Sequence, residues 1–161
     1  LKNYVEQIES FRGQEIYYSL TEEISAIKKK LAAKNPAEYG KNNADMISNE
    51  LVNKGVKEDQ LSSENQKRLK DLEAGKITDP TEIDEVKNQI SEETNEKAAE
   101  NELDKLLEEY EKAPNLALKK VIRNKIIQFV NNKDNRFQQK AFKSRLNKVN
   151  KILGIANTNA Q

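Results

Sequence analysis

The chain of 161 residues is long enough for one domain with a single core, and 34% of its residues are charged, above the usual quarter. It contains no Cys and no His, which excludes disulfides, thiolate nucleophiles, His-dependent triads and the common zinc sites. No apolar run is long enough to cross a bilayer. These exclusions favour a soluble binding protein that is not an enzyme, and we expect no cofactor.

Residues 1–35 predict two helical segments. The apolar residues of the first step by four and three: Tyr4, Ile8 and Phe11. Those of the second step by three, four, three and four: Tyr17, Leu20, Ile24, Ile27 and Leu31. Because the phase changes between the segments, we expect a kink or break near Gly13, and Asn35-Pro36 ends the second.

The middle of the chain predicts two short helices. We expect the first over residues 44–54, stopped by Gly55. Ser63 followed by Gln66 is a capping-box pattern, which predicts a second helix that stops at Gly75.

A strong helix start follows at Asp79-Pro80, because Pro suits the first helical position and carboxylates suit the positive end of the helix dipole. Apolar periodicity continues to about Lys112 and predicts one or two helices, with residues 91–94 as the weak point.

The C-terminal third predicts a helical hairpin. One helix follows Pro114, and the run of Asn and Asp over residues 131–135 is typical of a turn. The last helix spans residues 136–153 with Gly154 as its C-cap, and we expect residues 154–161 to be a flexible tail. No strand pattern competes with these helices.

We therefore predict an all-α fold, a loosely packed bundle of about five to seven helices with helix-hairpin connections, forming one domain over residues 1–153. Aromatic residues gather near both ends of the chain and tend to anchor cores. We expect the two ends to meet and residues 56–100 to be peripheral or mobile. Phe129 and Phe142 should then be buried against Phe11, Leu20 and Ile24.

Charge is strongly segregated along the chain. Residues 118–161 carry eleven Lys and Arg against one acidic residue, Asp134, out of totals of 28 basic and 27 acidic residues. Like charges on one element repel each other unless an anionic partner lies alongside. Lys and Asn are both abundant, which is typical of an AT-rich genome, so the number of lysines alone is weak evidence for binding.

The candidate anion-binding residues lie on the two C-terminal helices: Lys119, Arg123, Arg136, Lys140, Lys143, Arg145, Lys148 and Lys151. Two interpretations are open. Residues 79–112 contain thirteen acidic and four basic residues, and neighbouring helices joined by a short loop usually pack together, so the basic residues would be neutralised internally. Alternatively, they bind an external polyanion.

We expect a non-enzymatic protein–protein interaction or structural module, one domain of a larger protein, whose partner is another protein held in a groove between amphipathic helices. The alternative is nucleic-acid or anionic-membrane-surface binding through the basic C-terminal hairpin. The chain begins at Leu1 and not at Met, which is typical of a trimmed N-terminus, so cytoplasmic and secreted locations both stay open.

Overall fold

A computed structural model describes the backbone of residues 2–154, together with the side chains of residues 14–16, 18–30 and 34–154. The described chain is all-α, with seven α-helices and no strand, as predicted. The helices are α1 (Lys2–Lys34), α2 (Pro36–Asn53), α3 (Ser63–Glu73), α4 (Pro80–Lys112), α5 (Leu116–Asn131), α6 (Arg136–Ser144) and α7 (Leu146–Leu153). A short 3-10 turn, Glu58–Gln60, precedes α3. Among the described residues, no helix is both long and apolar enough to cross a membrane.

Asparagine side chains begin three of the helices. Asn35 accepts a hydrogen bond from the Glu38 amide at 3.4 Å, and Asn115 accepts one from the Leu118 amide at 2.8 Å. Asn135 opens α6 in the same way. A capping side chain of this kind stabilises a helix by about 1 kcal/mol, so these asparagines have a structural role beyond genome composition.

Two predicted boundaries in the N-terminal half are wrong. Helix α1 continues through Gly13, and α2 begins at Pro36 and not at residue 44. The early start of α2 brings Gly40 into a tight position, where an added Cβ would lie 3.3 Å from the Ile77 carbonyl oxygen. Glycine inside this helix therefore allows close packing and does not mark a loop.

In the C-terminal half, α4 is a single helix, one of the two predicted alternatives, and one boundary after it differs. Helix α4 is continuous through residues 91–94, where buried Thr94 donates to the Ile90 carbonyl at 2.6 Å. The last predicted helix is divided at Arg145 into α6 and α7. Ala141 and Val149, on either side of the division, lie in the same buried cluster. Gly154 caps α7 at φ 72°, as predicted, and residues 155–161 lie outside the described residues.

Buried apolar side chains form two clusters that share α4. The first joins α2, α3, their connections and the first half of α4: Ala44, Ile47, Leu51, Val56, Leu61, Leu69, Leu72, Ile77, Ile83, Val86 and Ile90. The second joins the second half of α4 to α5, α6 and α7: Ala99, Leu103, Leu107, Ile122, Ile126, Phe129, Val130, Ala141 and Val149. The expectation that residues 56–100 are peripheral is wrong, because this stretch supplies most of the first cluster with aliphatic side chains.

The predicted meeting of the two chain ends is also wrong for the described residues. Phe129 is buried, but in the cluster formed by α4 to α7, with Phe142 packed partly buried against it. Leu20 and Ile24 are each 52% exposed, and the Phe11 side chain lies outside the described residues. Aromatic residues near the N-terminus therefore do not identify the partner of Phe129.

Candidate functional site

A ladder of ion pairs joins α4 to α6 and to Arg145, the residue that follows α6. Its members, which we call the charge ladder, are Glu92, Glu96, Glu100 and Asp104 of α4 with Arg136, Lys140 and Arg145. Arg136 Nη1 lies 2.7 Å from Glu92 Oε1, and Lys140 Nζ lies 2.8 Å from Glu96 Oε1. The paired numbers rise together, so α6 runs in the same direction as α4. Three of the eight candidate residues are thus matched internally.

Arg145 makes the most extensive pair of the ladder. Its Nε and Nη2 donate to the two Asp104 carboxylate oxygens at 2.7 and 3.0 Å, a bidentate arrangement. These hydrogen bonds hold the pKa of the Asp104 carboxyl below its ordinary value. The side chains are 25% and 46% exposed, so water screens the pair and it stabilises the fold by about 1 kcal/mol.

Two other candidate residues contact neighbouring helices of the same molecule. Arg123 Nη2 donates to the Leu153 carbonyl oxygen at 3.2 Å, which joins α5 to the end of α7. Lys119 Nζ lies 4.8 Å from the centre of the Tyr110 ring, a cation–π contact between α5 and α4. Both side chains therefore have a packing role.

The remaining three candidates, Lys143, Lys148 and Lys151, are exposed and make no ion pair within the part of the chain that the structure describes. An open groove of about 940 Å³ passes two of them, but its wall also carries acidic residues. These acidic residues are Asp104, Glu108 and Glu111. The surface is therefore mixed in charge, and anion binding by these lysines stays a prediction.

A different surface stands out on α1. All described side chains from residue 14 to residue 30 are exposed. They include Leu20, Ile24 and Ile27, which we call the α1 stripe and which are 52%, 52% and 56% exposed. Ile16 beside them is 61% exposed. Single exposed apolar residues are ordinary, but an aligned row indicates a surface that another molecule covers.

The spacing of the α1 stripe is that of a coiled-coil seam. From Tyr17 to Leu31 the apolar residues step by three, four, three and four, a mean of 3.5 residues, which defines the a and d positions of a heptad. The side chains of Tyr17 and Leu31 lie outside the described ones. Sequence reasoning assigned these residues to the core, because over about two heptads this spacing does not distinguish a core face from a coiled-coil seam.

An open groove of about 480 Å³ separates α1 from α2 and α4. Ile24 and Lys28 line one side, and Met46 lines the other and is 54% exposed. At the far wall, Tyr39 Oη donates to Asp84 Oδ1 at 3.0 Å, and burial together with this carboxylate raises the pKa of the tyrosine. Of the α1 stripe, only Ile24 lines this groove, which leaves that side chain accessible from solvent.

A second, smaller apolar patch lies at the start of α5. Leu116, Leu118 and Val121 are 70%, 41% and 50% exposed. A shallow cavity of about 500 Å³ beside them is rimmed by charged side chains of α4, such as Lys105 and Glu109. This patch lacks heptad spacing, so its pattern indicates no particular partner.

Within the described residues, no cluster of acidic side chains is arranged to hold a metal ion. No protein-family model, no curated protein and no solved structure matches the chain. The charge ladder and the α1 stripe are therefore the two surfaces whose geometry bears on function.

Proposed function

We propose that this chain is a non-enzymatic protein–protein interaction module that docks a partner helix along the α1 stripe. The observation that supports the proposal is the row of half-exposed Leu20, Ile24 and Ile27 at heptad spacing. Covering the exposed half of each side chain would contribute about 1 kcal/mol per residue. Such a row is typically bound by the apolar face of an amphipathic partner helix.

The anionic-partner alternative has less support. Carboxylates of α4 already pair with Arg136, Lys140 and Arg145. The positive charge of these three residues is therefore largely neutralised within the molecule. Binding a nucleic acid through them would require breaking those pairs. Only Lys143, Lys148 and Lys151 stay available for such a partner among the described candidates.

Site-specific photo-crosslinking tests the proposal. A photo-crosslinking amino acid replaces Leu20 or Ile27 in the stripe and, as controls, Glu22 or Ala26 on the opposite side of the same helix. In an extract of the organism that makes the chain, we expect one discrete adduct from positions 20 and 27, absent from the controls.

The adduct should disappear when Ile24→Glu is added, because a carboxylate in the middle of the seam must be desolvated for a helix to dock. An adduct that forms equally from all four positions, or survives Ile24→Glu, would contradict docking along the stripe.

A further inference from the structure

We propose that the helix that docks on the α1 stripe is α1 of a second copy of this chain, parallel and in register. The inference rests on the proposed function and adds the identity of the partner. It follows from the charges that border the stripe. In a heptad that places Ile24 at position a and Ile27 at position d, Glu23 occupies position g and Lys28 occupies position e.

In a parallel pair of helices, position g of one heptad faces position e of the next heptad in the partner. Glu23 of one copy therefore faces Lys28 of the other, and the symmetry of the dimer forms this attractive pair twice. Both side chains are exposed, and neither makes an ion pair among the described residues. The seam is thus complementary to itself in charge as well as in apolar surface.

An antiparallel arrangement does not use these charges in the same way, because position g then faces position g and position e faces position e. Glu23 and Lys28 would no longer meet. If reversing the charge at position 23 or 28 weakens the dimer, the result therefore shows both that the partner is a second copy of the chain and that the two helices are parallel.

The length of the seam sets the expected affinity. From Tyr17 to Leu31 it covers about two heptads, which is shorter than the three to four of a free-standing coiled coil. We therefore expect a weak dimer with a Kd between about 10 µM and 1 mM, formed where the chain is concentrated locally.

Sedimentation equilibrium of the purified full chain, up to about 1 mM, tests the inference. Glu23→Lys and Lys28→Glu each turn both attractive pairs into repulsive ones and should weaken the dimer about tenfold. An equimolar mixture of the two variants restores attraction at both pairs, as does the double variant in one chain. Both should recover the wild-type dimer.

Glu22→Lys and Lys29→Glu are the matched controls, since they make the same charge changes at position f, away from the seam. They should leave the dimer unchanged. A wild-type chain that stays monomeric, or a dimer that ignores the position 23 and 28 exchanges, overturns the inference. If the purified chain is monomeric while the stripe still crosslinks to a different protein in extracts, the inference fails and the proposed function stands.

Discussion

Helices α1 and α4 are both 33 residues long and both carry apolar residues at three-and-four spacing, yet the exposure of those residues differs. Ile83, Val86 and Ile90 of α4 are at most 5% exposed, whereas the three residues of the α1 stripe are more than half exposed. Helix α4 has α2 and α3 along its first half and α5 and α6 along its second. Periodicity therefore specifies a face, and only neighbouring elements decide whether that face is covered.

The largest expected effect comes from matched truncations in the two helices. Ile90→Ala should lower the free energy of unfolding by about 2 to 5 kcal/mol, because it leaves a cavity at a fully buried site. Ile24→Ala, at a site that is 52% exposed, should change it by less than about 0.5 kcal/mol in dilute solution. Urea denaturation measures the unfolding free energy of both variants. Equal decreases would show that position 24 is as much a part of the core as position 90.

Charge reversal at the ladder should have a smaller effect. Arg145→Glu replaces a bidentate pair with repulsion from Asp104 and Glu100, and should cost about 1 to 2 kcal/mol of unfolding free energy. Lys151→Glu makes the same charge change on an exposed residue without an ion pair and should cost less than about 0.5 kcal/mol. Similar melting temperatures for the two variants would show that the ladder does not stabilise the fold.

The ladder also predicts a pH dependence. The pKa of Asp104 is lower in the folded chain than in the unfolded one, so its contribution is present above the unfolded value, near 3.9, and is lost as pH falls through the folded value. The stability difference between wild type and Arg145→Gln should therefore shrink as pH falls from about 5 to about 2. Since Asp104 is 46% exposed, the change should stay below about 1 kcal/mol. A stability difference that stays constant across this range would show that Arg145 does not stabilise the fold through the Asp104 carboxylate.

The smallest expected effect concerns polyanions. Of the eight candidate residues, only Lys143, Lys148 and Lys151 make no internal ion pair, hydrogen bond or cation–π contact among the described residues. Binding of duplex DNA through this set should therefore be weak, and the salt dependence it contributes should be no steeper than a slope of about −2.7. Fluorescence anisotropy with a labelled duplex provides the measurement. Tight binding at physiological salt, lost in Lys143→Glu/Lys148→Glu/Lys151→Glu without a change in melting temperature, would favour the basic surface over the α1 stripe.

Local sequence signals predicted the helical class and many of the boundaries. Asp79-Pro80 begins α4, and Gly55, Gly75 and Gly154 follow the ends of α2, α3 and α7 with positive φ. These signals are local because capping and left-handed backbone depend on only a few consecutive residues. The charge split left two interpretations open, and the structure pairs Arg136, Lys140 and Arg145 with acidic residues of α4.

The missed features depend on contacts between distant parts of the chain. The sequence between residues 56 and 100 lacks large aromatics, yet its aliphatic residues fill a cluster because α2, α3 and α4 converge there. In contrast, Leu20 and Ile24 satisfy every criterion for a core stripe and stay half exposed. Apolar periodicity is the same for a stripe that faces its own core and for one that faces another molecule.

The central claim is that the α1 stripe is a docking surface and not part of the core. The chain contains no Cys, so single substitutions Ile24→Cys and Ile90→Cys each introduce one thiol whose labelling rate reports its exposure. In solution dilute enough to lie well below the expected Kd of the dimer, we predict that the thiol at position 24 reacts at nearly the rate of an unfolded thiol. The thiol at position 90 should react at least about a hundredfold more slowly, because it is reached only by unfolding. Equal protection of the two thiols at the lowest concentration would contradict the claim.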